Sequence, residues 1–292
     1  MLKLRTLKRL AAVALAAVGL LSFESCKTPP QENEIDPLSL LSPDGAIYLY
    51  VPVQSHSEFC KKTVSALTGA SDSDSASIVK RIDDLYITTK NQNSLEIAAS
   101  GAFPSTLVKF ALTEKKGWKQ NAYSTFNYFE HLSKIQLALP SSSVACISYD
   151  VKTQLDRFEK SANAVYVQTD GAFVPDEFNP ECYKYLTTGG SDEIRFFSAS
   201  PQSFFKIFFN ANIKLGVRSI YGVMTSIAGK TGEFGVKIIL DMEDPKTVKA
   251  ASRILQLALF GTPAKIVPTG VSQITITDYS LTWNEILSLF NR

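Results

Sequence analysis

Histidine is nearly absent from this chain: His56 and His131 are the two among 292 residues. That scarcity leaves little room for histidine-based metal sites or general-base catalysis. Ser55 and Ser57 flank His56, but a triad needs a nucleophile on a sharp turn and an orienting acid, and no G-x-S-x-G occurs. His56 is expected as a solvated residue at a helix start, and His131 as packed against aromatics near Tyr128 and Phe129.

Other motifs fail on a missing partner. Gly229-Lys230-Thr231 suggests a phosphate loop, yet Met224 stands where the first glycine is required, and the segment joins two expected strands rather than opening a helix. A hairpin turn is expected there. Asp72 and Asp74 lack the glycine and closing glutamate of a calcium loop and read as a polar loop. Asp83 and Asp84, adjacent on a strand, point to opposite faces and make no convergent acid/base pair. The four cysteines show no zinc or C-x-x-C spacing. The expectation is a non-enzyme without metal or cofactor.

What the chain does have is concentrated first at its N-terminus. Lys3, Arg5, Lys8 and Arg9 precede an apolar run from Leu10 to Phe23, and Ser25 precedes Cys26. This is the layout of an export signal, and its apolar run of about 14 residues falls short of the roughly 20 that span a bilayer. The segment Ser22-Phe23-Glu24-Ser25-Cys26 resembles the lipobox of bacterial lipoproteins in a relaxed form, with Phe23 and Glu24 replacing the usual leucine and small residue. The resemblance implies a signal peptide over residues 1–25, diacylglycerol on Cys26 and an acylated N-terminus. Two or more acyl chains anchor a protein stably where one does not. The expected location is the bacterial cell envelope, lipid-anchored at the periplasmic face or outer membrane. Residues 1–25 carry four basic groups and one acid, so their removal takes the formal +2 to about −1. Without a basic surplus, nucleic-acid binding is excluded.

Residues 26–43 read as a lipidated N-terminus and tether, because Pro29, Pro30, Pro37 and Pro43 oppose helix and ladder alike. The seventeen residues from Lys27 to Pro43 reach at most about 55 Å. After Cys26 is spent on lipid, Cys60, Cys146 and Cys182 allow at most one disulfide, and buried small hydrophobes are the simpler reading.

The rest reads as two α+β units, residues 44–160 and 193–292, joined by a linker over 161–192. In the first, strand Ile47–Val53 leads to a helix capped by Ser57, a hairpin (Asp84–Thr89, Leu95–Ala102), a helix opened by Pro104, strands Ile135–Leu139 and Val144–Tyr149, and a short helix from Lys152. The second repeats the order: Ile194–Ser198, a helix Pro201–Leu215, a hairpin (Ser219–Thr225, Phe234–Leu240), a helix Pro245–Phe260, two strands and a final helix Thr282–Phe290. Pro104 matches Pro245, Tyr149 matches Tyr279, and Phe158 matches Phe290. The expected fold is two tandem split-βαβ, ferredoxin-like repeats, antiparallel sheets with helices on one face. The pattern of elements resembles duplicated periplasmic lipoproteins of unknown function.

Aromatics supply the candidate surface. Phe204, Phe205 and Phe208 form an apolar helical face, and Tyr123, Phe126, Tyr128 and Phe129 occupy an insertion that the second half lacks. These residues are the expected contacts for an apolar small molecule or an envelope protein partner. A scaffold role without ligand and an enzyme of unrecognised class are the alternatives.

Overall fold

Strand after strand in this chain pairs antiparallel, and the pairings join both halves into one sheet. The structure, a computed structural model, describes residues 35–91, 94–104, 111–163, 178–190 and 192–289. The expected signal peptide, Cys26, the first part of the expected tether, the body of the helix expected after Pro104, most of the expected linker and Phe290 lie outside the described residues. Ile35–Arg292 forms a single compact unit.

Its strands are β1 (Ile47–Pro52), β2 (Ile82–Thr89), β3 (Glu96–Gly101), β4 (Trp118–Tyr123), β5 (Phe126–His131), β6 (Gln136–Ala138), β7 (Val144–Ser148), β8 (Ile194–Ser198), β9 (Val217–Ser226), β10 (Glu233–Met242), β11 (Lys265–Thr269) and β12 (Gln273–Thr282). Their order across the sheet is β11-β12-β10-β9-β8-β1-β2-β3-β7-β6-β5-β4. At the centre β8 meets β1 through Tyr48↔Phe197, Leu49↔Phe196 and Tyr50↔Arg195. From that seam the strands run outward in the same succession on both sides, and the β4–β5 hairpin is added at one edge.

This order is not the split-βαβ arrangement, in which the chain returns parallel to its first strand. Here β2 begins where β1 ends, with Pro52 opposite Asp84. The reason is an extra helix. After α1 (Ser57–Thr68) the chain makes α2 (Asp72–Val79) over the stretch read as a polar loop, and two helical passes return it to the end it left. Ser71 caps α2 by accepting from the Asp74 amide, and Asp72 and Asp74 sit in the first turn, where the helix dipole favours acids. In the second half α5 (Pro201–Phe209) stops well before Leu215, because Asn210 takes a left-handed conformation (φ 51°), and residues 211–216 lead back to β9.

Helices cover both faces of the sheet, not one. On one face lie α1, α2, α5, α6 (Val248–Ala258) and α7 (Trp283–Ser288), packed on Leu49, Ile97, Phe196, Ile238 and Ile276. On the other lie α3 (Lys152–Asn163), α4 (Pro180–Thr187) and a 3-10 turn at Pro37–Leu40, packed on Tyr48, Tyr86, Cys146 and Phe197. The strand sequences follow this difference. Central β1 reads Ile-Tyr-Leu-Tyr-Val, apolar throughout because both sides are covered. By contrast β10 alternates, burying Phe234, Val236, Ile238 and Leu240 while Lys237 faces water.

Part of the expected tether and linker belongs to this second core. Leu38 and Leu40 are fully buried, Asp36 caps the 3-10 turn, and the Tyr183 hydroxyl of α4 donates to the Asp36 carboxylate. Arg157 Nη1 donates to the Leu40 carbonyl at 2.9 Å and to Glu96 at 3.0 Å. The helix α4 lies inside residues 161–192, with Pro180 at its start and Asn179 as cap.

Candidate functional site

Packing in a protein interior leaves few voids larger than a water molecule, yet one of about 240 Å³ lies between α1–α2 and the sheet. Its floor is made by β2, β3, β7 and β6, where small residues stand among large ones. Ala99 of β3 pairs directly with Ala145 of β7, while the next pair on the same face is Ile97 with Ile147. Its roof is the inner face of α1, carrying Cys60, Thr63, Val64 and Leu67, with Ile78 from α2 and Trp118 at the side.

The second half handles the same position differently. Counted from their N-caps His56 and Ser200, Cys60 and Val64 of α1 occupy the places of Phe204 and Phe208 on α5. Those two rings stack at 4.7 Å on each other and at 5.9 and 5.8 Å on Phe196. Aromatic rings therefore fill under α5 what short side chains leave empty under α1.

The cavity wall is almost wholly apolar. The Thr63 hydroxyl is spent on the Phe59 carbonyl at 2.9 Å, and burial pushes the Cys60 thiol up to about 12, so it stays protonated. Charge appears at one end, where Lys116 Nζ meets Asp74 Oδ2 at 2.9 Å beside the corner Thr68–Ser71. The Lys116 and Ser71 hydrogen bonds hold the Asp74 carboxyl below the usual carboxylate range. This arrangement can hold an apolar chain with its end at a polar rim.

The aromatic residues expected at the site stand elsewhere. Phe204 and Phe205 are fully buried and Phe208 nearly so, all within the core under α5. Tyr123, Phe126 and Tyr128 lie on the opposite face of the sheet over α3: Tyr123 donates to Asp156 at 3.0 Å, Phe126 meets Phe158 edge-on at 5.9 Å, and Lys152 stands over Tyr123 and Tyr128. Phe129, one residue on, turns back into the first core. None of the seven lines the cavity. The sequence signal for the cavity is the small residues Ala99 and Ala145, which follow and precede the bulkier Ile97 and Ile147 on the same face of their strands.

Other sequence candidates resolve simply. His56 is buried rather than solvated; its Nε2 lies 2.9 Å from the Asp192 carbonyl, and desolvation lowers its pKa. His131 packs on Trp118 with centroids 4.9 Å apart. Gly229 and Gly232, both at positive φ, sit in the β9–β10 hairpin turn. Asp84 accepts from the Tyr50 hydroxyl at 2.7 Å. Cys60, Cys146 and Cys182 are free and buried. Among the described residues no cluster of histidine, cysteine or acids could hold a metal, and no helix is long and apolar enough to cross a membrane.

Among the described residues, a twelve-stranded antiparallel sheet with helices on both faces and an apolar cavity under one helix pair defines an α+β protein. The chain belongs to the family described as outer membrane-associated lipoprotein TP0453, whose model matches residues 32–287. It is 22% identical over 214 residues to the outer membrane protein TP0453 of Treponema pallidum (strain Nichols), covering 71% of each chain. Crystal form I of TP0453 shares the fold with a TM-score of 0.63 at 17% identity, covering 88% of this chain and 97% of that one. Form III gives 0.59 at 17% identity, covering 87% and 97%. The protein is thus a membrane-associated lipoprotein of the cell envelope, and its family's description names no enzymatic activity.

Proposed function

We propose that this lipoprotein is a non-enzymatic, lipid-anchored carrier or sensor that binds one apolar ligand in the cavity beneath α1 and α2. The observation that carries this reading is the retained void of about 240 Å³ under α1, at the position that Phe204 and Phe208 fill under α5. An engineered cavity of about 150 Å³ lined by apolar side chains stays dry and binds benzene. A larger one of the same chemistry accepts a longer apolar segment. In the same reading the two halves descend from one duplicated unit, and only the first keeps its cavity open. Anchoring is assigned to Cys26 through thioether-linked diacylglycerol, which leaves the folded unit tethered by the few residues before Ile35.

Native mass spectrometry of residues 27–292, taken gently from cells, tests the reading. A bound small molecule that is lost in Ala99→Leu supports it; bare protein that also refuses added apolar probes removes it.

A protein-partner reading rests on another surface. Leu257 and Phe260, at the end of α6, are 77% and 89% exposed, and Ile254 lies on the same helix. Large apolar side chains grouped in the open mark contact surfaces. In-cell crosslinking from residue 257 tests that reading.

A further inference from the structure

The cavity's two ends differ, and the difference constrains what enters. Of its lining residues, Lys116 and Asp74 are the charged ones, and both stand at the rim formed by the α1–α2 corner and the turn before β4. Around them the other polar groups are occupied. The Thr68 hydroxyl donates to the Val64 carbonyl at 2.7 Å and accepts from the Ala70 amide, and the Ser71 hydroxyl caps the Asp74 amide. A ligand that fills the apolar interior therefore meets one ion pair at its exposed end.

The partners of that pair are not equally bound to each other. Asp74 is held independently by Ser71 and lies in the first turn of α2, where the helix dipole compensates a carboxylate. Among the described residues Lys116 pairs with Asp74 alone, and it carries three donors on a flexible stem. Its ammonium can swing from Asp74 to another anion at small cost, whereas a cationic ligand drawing Asp74 away would strand Lys116 at the rim of an apolar cavity. The asymmetry favours a negative headgroup.

Resting on the cavity reading above, we infer that the ligand is a single-chain anionic amphiphile, its tail between α1 and the Ala99–Ala145 floor and its headgroup on Lys116. Lys116 is then the residue that sets specificity, and Asp74 is the internal anion that the headgroup replaces. Binding leaves the hydrophobic part of the affinity to the cavity and assigns the charge preference to one side chain. A carboxylate or a phosphate monoester would satisfy Lys116 alike, so the headgroups are compared directly.

The test is isothermal titration of residues 27–292 with four probes of equal tail length: decanoate, decyl phosphate, 1-decanol and decylammonium. The expected order places both anions roughly tenfold tighter than 1-decanol, as one charge-assisted hydrogen bond would give, with decylammonium the weakest. Lys116→Met, which keeps the apolar stem, should bring the anions down to 1-decanol and leave 1-decanol unchanged; Lys116→Arg should restore the preference. Equal binding of the anions and 1-decanol, or a Lys116→Met loss shared by every probe, overturns the headgroup assignment while the cavity reading stands. If no probe binds and Ala99→Leu changes nothing, both fall together.

Discussion

Cys60 on α1 and Phe204 on α5 stand four residues beyond their helix N-caps, each beneath a helix that follows one of the two central strands. One is a small thiol at the roof of a cavity, and the other is a fully buried ring stacked on Phe196. That difference separates the two halves of the sheet more sharply than any change in strand order.

Filling the floor should stabilise the protein and remove the site. Ala99→Leu adds three carbons to existing space, worth up to about 2 kcal/mol at ~0.8 kcal/mol per buried methylene. The urea midpoint should rise while binding of 1-decanol disappears. A fall of the midpoint, the ordinary result of overpacking, would show that the space is not there to be filled.

Opening the second half should do the reverse. Phe204→Ala removes a ring buried among Phe196, Phe205 and Phe208 and should cost about 3–5 kcal/mol in urea unfolding. Cys60→Ala, at the equivalent place, removes one atom beside a void and should cost less than about 1 kcal/mol. Equal losses in the two variants would contradict the contrast.

Two buried groups should give opposite pH dependences. Desolvation, the larger effect, raises the Asp36 pKa from 3.8 despite the Tyr183 and Leu38 hydrogen bonds. The native state thus prefers the protonated carboxyl, and the associated stability is present below the unfolded value and lost as pH rises through the native one. Asp36→Asn should flatten that part of the profile. For His56 desolvation lowers the pKa from 6.5. Stability is then full above 6.5 and declines as pH falls through the native value, a decline that His56→Gln should remove. Urea midpoints between pH 3 and 8 would read both slopes, and slopes of the same sign would refute one assignment.

The proposed attachment rests on one atom, the Cys26 Sγ. Cys26→Ala should move the protein from the membrane to the soluble fraction, because the variant has no thiol to carry the acyl chains that the proposal assigns as its anchor. Retention at the membrane after fractionation would mean that another part of the chain holds it there.

Much of the element content was legible from local pattern. Ile47–Pro52, Ser57–Thr68 and Ile194–Ser198 lie within a residue of their expected bounds, because alternation and helical spacing carry them. Helix α2 is hard to read locally because Asp-Ser-Asp-Ser has the composition of a loop, and only Ser71 with its following acids marks it as a capped start. In the first half this helix sets the number of passes between β1 and β2, and in the second half the early stop of α5 at Asn210 does the equivalent. Large aromatic side chains fill cores as readily as they line sites, and Phe204 and Phe205 have no exposed surface at all.

By itself, the sequence carries the features from which export, lipidation at Cys26 and a near-neutral charge after processing are proposed, and it determined the α+β class and the lack of recognisable catalytic motifs. These depend on residues close in the chain. The tertiary structure alone decided the twelve-strand order, the helices on both faces, the docking of Pro37–Leu40 and the cavity. Each of those depends on which distant residues meet, as Ala99 does with Ala145 and Asp36 with Tyr183. A void, in particular, is not a property of any residue, because it arises where the side chains of separate elements together fall short of filling the space between them.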